Sequence, residues 1–517
     1  VSDIIGFSLD SNDIDTYSTR MKYGLMRWEG HRKWTYLALC LPLFTTALLY
    51  RGAFSGVLFH PDDVSVLWYY VNDKLPWWVN GWNSCGRPLQ GVIHLSVMPF
   101  VDGFEDFVLF RWLGIGFAMS FSFCYFRSLK IIQDNVIFRL VVIFAILATP
   151  AFAVFSINAH FVDLFLASGF SLLAGQLVSD HIANNKGFRL KLLLPFAATV
   201  VSLHLHQGCI GFFLFPFVFQ LMRPDVDTRA ETKCHPLVMM IYGSVIYLGI
   251  LLCYWIYFNG TYPLLFPQNI FVERGTLPSR LGDRLSLFVL DHLYTVFSGW
   301  RGLDPSGSSA TVVGLGSTIL LLNWGWYATV VRSKKWNIGL LYWAILPATI
   351  ILIQAPMLAA NDFFFAFRLY APLYALIITV VVAGLDTVKK KRWGLGFLLT
   401  FVWGILYFGG LTFFIQNGMI KAQKDEYSRL VQFVEKHDFN AESWSLLTLK
   451  NNLEREGIRA KAEIGFYNLA YTWVPVWYFD LLTPRQADQK PAVFELKGHD
   501  PETLYGSGKM ICLDLIL

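Results

Sequence analysis

Apolar residues run in long blocks along the 517-residue chain, broken by short polar links. A helix needs about 20 mostly apolar residues to cross a bilayer. Blocks of that kind fall near 34–50, 104–126, 136–155, 157–180, 190–205, 207–222, 236–258, 310–331, 336–358, 365–385 and 392–415. They predict an all-α polytopic membrane protein of about 11 transmembrane helices. The stretch 88–100 is apolar but short, and reads as interfacial or re-entrant. The pair 190–205 and 207–222 reads as two spans or as one broken helix.

Charge orients these blocks. Arg20, Lys22, Arg27, Arg32 and Lys33 precede the first span; Arg127 and Lys130, Lys186 to Lys191, Arg223 to Lys233, Arg332 to Lys335, and Lys389 to Arg392 occupy later links. The links near 156, 206 and 360 carry almost no positive charge. Cytoplasmic loops collect Lys and Arg, so the N-terminus is expected in the cytoplasm. An odd number of spans then puts the C-terminus outside. The expected division is a cytoplasmic segment 1–33, a transmembrane domain 34–415 with outer loops 51–103 and 259–309, and an extracytoplasmic C-terminal domain 416–517. That last part mixes a helical run (Gln423 to Lys436) with a strand-like one (Lys509 to Leu517), so it reads as small and α/β.

Composition agrees. Hydrophobic residues make up 55% of the chain and charged ones 15%, against about a quarter charged in soluble domains. Val1 to Lys33 is polar and basic, without the apolar core of a signal peptide, so the first span is expected to be an uncleaved anchor. The net charge of +5 is mild and its basic residues are scattered between spans, which argues against nucleic acid as a partner. The seven cysteines show no metal spacing; Cys85 and Cys512 fall clearly outside the spans, and sequence alone sets no pairing.

The chemistry gathers on the outer side. His60-Pro61-Asp62-Asp63 follows the first span. One carboxylate of such a pair can take a proton from a hydroxyl, and two can share a divalent cation; Pro-Asp is also ordinary turn chemistry. The same loop holds Trp68, Trp77, Trp78, Trp82 and Asn83, whose rings suit either sugar faces or the membrane interface, and then Arg87, a candidate phosphate ligand. Ionisable residues inside spans are costly and point to function. Arg111 and Arg368 are therefore candidate phosphate ligands, with Glu105 and Asp106 as structural partners for Arg111. His160 and Asp163, three apart, share one helix face. His204, His206 and Gln207 sit at a hairpin tip, where His206 or Gln207 is a candidate sugar contact; their spacing does not suit a metal. Leu281 to Val296 has an amphipathic rhythm.

An acidic pair directly after the first span resembles the glycosyltransferase-C superfamily. Gly86-Arg87-Pro88-Leu89, behind a Trp/Asn/Gly-rich stretch, resembles its phage-type serotype-converting O-antigen glucosyltransferases. The resemblance is close from His60 to Arg111 and departs where relatives carry several acids after the third span; here Asp163 alone remains. It implies an inverting enzyme of the bacterial inner membrane with its active site facing the periplasm. Undecaprenyl-phosphate glucose would be the donor and an O-antigen hydroxyl of lipopolysaccharide the acceptor. Asp62 or Asp63 would be the base, and Mg or Mn an optional cofactor. Two other readings fit the span pattern: an O-antigen polymerase or ligase, and a lipid-linked-sugar transporter without enzymatic activity.

Overall fold

The computed structural model describes residues 36–54, 61–71, 82–83, 85–183, 192–223, 235–265, 281–304, 306–331, 339–359, 366–391, 393–436, 444–448 and 509–513. Six helices are long and apolar enough to cross a membrane: Tyr36–Ala53, Phe104–Ile131, Ala159–Ala183, Pro236–Thr261, Phe367–Lys389 and Gly394–Asp425. Val136–Leu147 and Pro150–Ile157, bent by 69° at their junction, make a seventh if taken as one span. The protein is thus an all-α, multi-pass membrane protein. Shorter apolar helices at Leu193–Leu205, Gln207–Met222 and Trp343–Ile353 lie where further spans are expected, as does Ser309–Trp326. Leu281–Leu287, Phe288–His292 and Leu293–Phe297 follow one another, so the amphipathic run is helical.

Burial sorts these helices. Ala159–Ala183 and Phe367–Lys389 are 72% and 78% buried over their most apolar windows, whereas Pro236–Thr261 and Gly394–Asp425 are each 22% buried. The first two form the centre; the other two turn most of their apolar surface outward, as lipid-facing helices do. The centre is filled with phenylalanines: Phe121, Phe152, Phe165 and Phe212 contact one another at ring separations of 5.2 to 6.4 Å.

Where helices break, side chains take up the freed carbonyls, since hydrocarbon offers no hydrogen-bond donors. At the 69° bend, Tyr50 donates to Leu147 O and Trp300 Nε1 donates to Ala148 O at 2.8 Å. At the end of Pro150–Ile157, Arg111 Nε donates to Ile157 O at 2.7 Å, and its Nη1 donates to Ala53 O at 3.1 Å. Both carbonyls close a helix, where a cation also opposes the negative end of the dipole.

The first and last spans meet at this same end. A Cβ on Gly52 would touch Ile420 at 3.0 Å, and beside them Phe104, which opens the next long helix, packs edge-on against Tyr427, just past the last span, at 5.8 Å. Of the C-terminal region, the helix Ala422–Lys436 and one parallel strand pair, Trp444–Thr448 with Lys509–Leu513, are described. The acidic motif opens a helix, Pro61–Val71, rather than a turn.

Small residues let two helices approach closely. A Cβ on Gly384 would lie 2.3 Å from Gly325 Cα, and one on Gly325 would lie 2.3 Å from Val380 O. Backbone cannot yield as a flexible side chain can. Gly384→Leu should therefore cost about 1–3 kcal/mol or more. The expected readout is a lower melting midpoint and a smaller monodisperse fraction in detergent; an unchanged midpoint would contradict the close crossing.

Candidate functional site

Gly86-Arg87-Pro88 is a helix stop followed by a helix start. The N–H of Arg87 bonds to Trp82 O at 2.9 Å and that of Gly86 to Asn83 O at 2.8 Å. These are the paired bonds of a Schellman turn, whose closing residue is left-handed. Gly86 has φ +74°, and a Cβ there would lie 2.2 Å from Tyr254 Oη. Glycine is therefore required twice over, by backbone and by space. Pro88 opens the next helix, Pro88–Val97, where its missing N–H costs nothing. Arg87 is held between these two fixed points.

Gln207 locks the turn to the rest of the protein. Its Oε1 accepts from Arg87 Nε at 3.0 Å, and its Nε2 donates to Tyr254 Oη at 2.7 Å and to Cys85 O at 2.8 Å. Tyr254 Oη in turn donates to Gly86 O at 3.2 Å. A cavity of about 230 Å³ opens beside this lock. Arg87, Arg368, His206 and Gln207 are among its polar lining, while Leu251, Trp255 and Phe258 are part of its apolar wall. The Arg368 guanidinium lies over the Phe161 ring at 4.2 Å, a cation–π contact that steadies it. Cys85 also lines the cavity.

His206 is the extended residue linking Leu193–Leu205 to the turn Gln207–Leu214. Its Nδ1 accepts the Gly208 N–H at 3.2 Å. A neutral imidazole that accepts at Nδ1 carries its proton on Nε2. Burial, reinforced by the charges of Arg87, Arg368 and His160, holds His206 well below the usual imidazole range.

A second polar cluster lies behind Arg87. Asp163 is fully buried in the first turn of Asp163–Ala183, where helix amides favour a carboxylate. Gln90 Nε2 donates to His160 O at 3.2 Å and to Asp163 Oδ1 at 3.4 Å. The Arg87 charge acts on the same carboxylate. Trp82 stacks on His160 at 5.7 Å and packs at a tilt against His94 at 4.6 Å.

Arg87, Trp82, His160, Asp163, His206, Gln207 and Arg368 thus converge at one place. Asn83 belongs to the same turn through its carbonyl. Arg111 is not part of the cavity lining. It is 1% exposed, bonded to two helix-end carbonyls, and feels the charge of the equally buried Asp63. Its expected partner Asp106 caps its own turn through the N–H groups of Asp102 and Gly103. Trp68 packs edge-on against Tyr69 at 5.0 Å. The side chain of Asp62, together with His60, Trp77 and Trp78, lies outside the described residues. Among the described residues there is no group of three His, Cys, Asp or Glu side chains able to hold a metal ion. Tyr254, Gln90 and His94 join the site without having been singled out from the sequence. Gln90 and His94 carried a readable signal, as polar residues four apart on one face of a short apolar helix. No family model, curated protein or solved structure matches the chain.

Two outcomes follow. Gly86→Ala should displace the turn and lower the affinity of any ligand held by Arg87 at least ten-fold. Adding Tyr254→Phe, which removes the clashing oxygen, should restore part of it; a direct binding measurement on both variants checks this. The second outcome concerns acid. Unfolded, His206 takes a proton below about pH 6.5; folded, it does so only at lower pH, so its contribution to stability is complete above that value and is lost as pH falls. The melting midpoint should fall between pH 7.5 and 5.5, and fall less for His206→Asn.

Proposed function

We propose that the protein is an inverting membrane glycosyltransferase that uses a polyprenyl-phosphate sugar as donor. The observation that carries this reading is the pair of guanidiniums, Arg87 and Arg368, at the polar side of a cavity whose other wall is apolar. A phosphate leaving with its electron pair needs fixed positive charge in a site shielded from water. An isoprenoid tail needs an apolar wall.

In the proposed reaction, a carboxylate of the Asp62-Asp63 pair removes the proton of an acceptor hydroxyl. The freed oxygen bonds to the anomeric carbon from the face opposite the phosphate. The bond from that carbon to the phosphate oxygen breaks, and Arg87 and Arg368 neutralise the departing dianion. Asp63 is buried beside the Arg111 charge, which suits it to hold the helix-end seal and leaves the base role to Asp62. Phosphate is a good leaving group, so no general acid is required; a divalent cation would add charge neutralisation. Trp82, Asn83, His160 and Asp163 make up the proposed sugar side of the site; Trp82, His160 and Asp163 are buried outside the cavity lining and would act by holding its residues in place.

The rest of the proposal follows the resemblance. Glucose would pass from undecaprenyl phosphate to an O-antigen hydroxyl of lipopolysaccharide, converting serotype. The site would face the periplasm of a bacterial inner membrane. Eleven spans and a periplasmic α/β C-terminal domain complete the architecture. The contact between the first and last spans supports placing the C-terminal region on the same side as the acidic motif.

One observation favours a second reading, a lipid-linked-sugar transporter: apolar helices are broken at two places, at the 69° bend and at His206. Movement of lipid-linked sugar across vesicles without new glycosidic product would select it. For the main reading, purified protein is supplied with polyprenyl-phosphate glucose and O-antigen acceptor. Asp62→Asn should lower turnover about 100-fold or more. Arg87→Gln should weaken donor use at least ten-fold. Normal transfer by both variants would sink the proposal.

A further inference from the structure

We propose that His206 is the third ligand of an anion cradle, its Nε2–H joining the Arg87 and Arg368 guanidiniums around the oxygens of one phosphate group. This deepens the reading above, since it rests on the cavity being a phosphate site.

Three observations carry it. The imidazole is 1% exposed and lines the cavity with both arginines. Its Nδ1 is occupied by the Gly208 N–H, so the ring orientation and the tautomer are fixed by the backbone. Its Nε2 has no hydrogen-bond partner among the described residues. A buried donor left unmade is costly, and such a cost is ordinarily met by a ligand or an ordered water. Here the group most favoured beside two guanidiniums is an anion. A neutral donor has a specific use in this place. It adds a directed hydrogen bond without adding a third positive charge, which would repel its neighbours in the free site. The contact also differs from a sugar contact: it requires oxygens that accept, and an acceptor pocket shared with two cations.

The test separates the cap from the cradle. Asn at position 206 keeps an oxygen able to accept the Gly208 N–H, as Asn does at helix starts, but loses the Nε2 donor. Gln places an amide N–H₂ near the former Nε2. Purified full-length protein in detergent is titrated calorimetrically with dodecyl phosphate and, separately, with inorganic phosphate. His206→Asn should bind roughly ten-fold more weakly with an unchanged melting midpoint at pH 7.5, and His206→Gln should recover most of that loss. Preference for dodecyl phosphate would support the cradle with a lipid headgroup as its ligand. Equal binding of both probes, each weakened in His206→Asn, would support it with free phosphate. Wild-type binding by His206→Asn, with weakened binding by Arg87→Gln, would overturn the inference and leave the phosphate cavity standing. Unchanged binding in both variants would overturn the cavity reading as well.

Discussion

Hydrocarbon supplies no hydrogen bonds, so a helix that stops inside a membrane must find partners for its last carbonyls within the protein. This chain breaks its helices repeatedly, and the residues that seal the breaks set the architecture. Tyr50 and Trp300 close the bend after Leu147. Arg111 closes two helix ends at once, those at Ala53 and Ile157. With these ends fixed, the turn at Ala159–Phe161 and the start of Asp163–Ala183 are fixed too, and His160, Asp163 and the Phe161 ring beneath Arg368 come with them. The site is assembled at helix starts and stops because only there does backbone polarity escape the helix and need company.

Much of this was legible in the sequence. Long apolar blocks mark helices because length and hydropathy are the two things a bilayer demands, and all six long helices fall within or across expected spans. The break at His206 was legible in the sequence, and the structure places one extended residue there, between Leu193–Leu205 and Gln207–Leu214. The Gly-Arg-Pro run was legible as a motif by resemblance. Its physical content is local: a left-handed closing residue, an arginine just past it, and a proline that begins the next helix.

Other parts were not legible, for stated reasons. An arginine in an apolar span reads as functional because its cost is obvious, while the carbonyls that repay Arg111 belong to residues 46 and 58 positions away. Tyr254 reads as one more aromatic near the end of a span. Its role as a hydroxyl bridging Gln207 and Gly86 depends on contacts 47 and 168 residues apart. Gln90 was hidden in a short apolar helix. Sequence patterns report the period of a helix well; they do not report which distant backbone group a single polar atom will meet.

The contact between the two ends of the helical body has a temporal consequence. Gly52 and Phe104 leave the ribosome early, and their neighbours Ile420 and Tyr427 leave it late. Early helices can insert one by one, but the surface beside the acidic motif stays open until the last span has followed them. Synthesis of the chain therefore orders its own maturation: these contacts at the polar end of the bundle can close only after the described helices that precede Ile420 have been made.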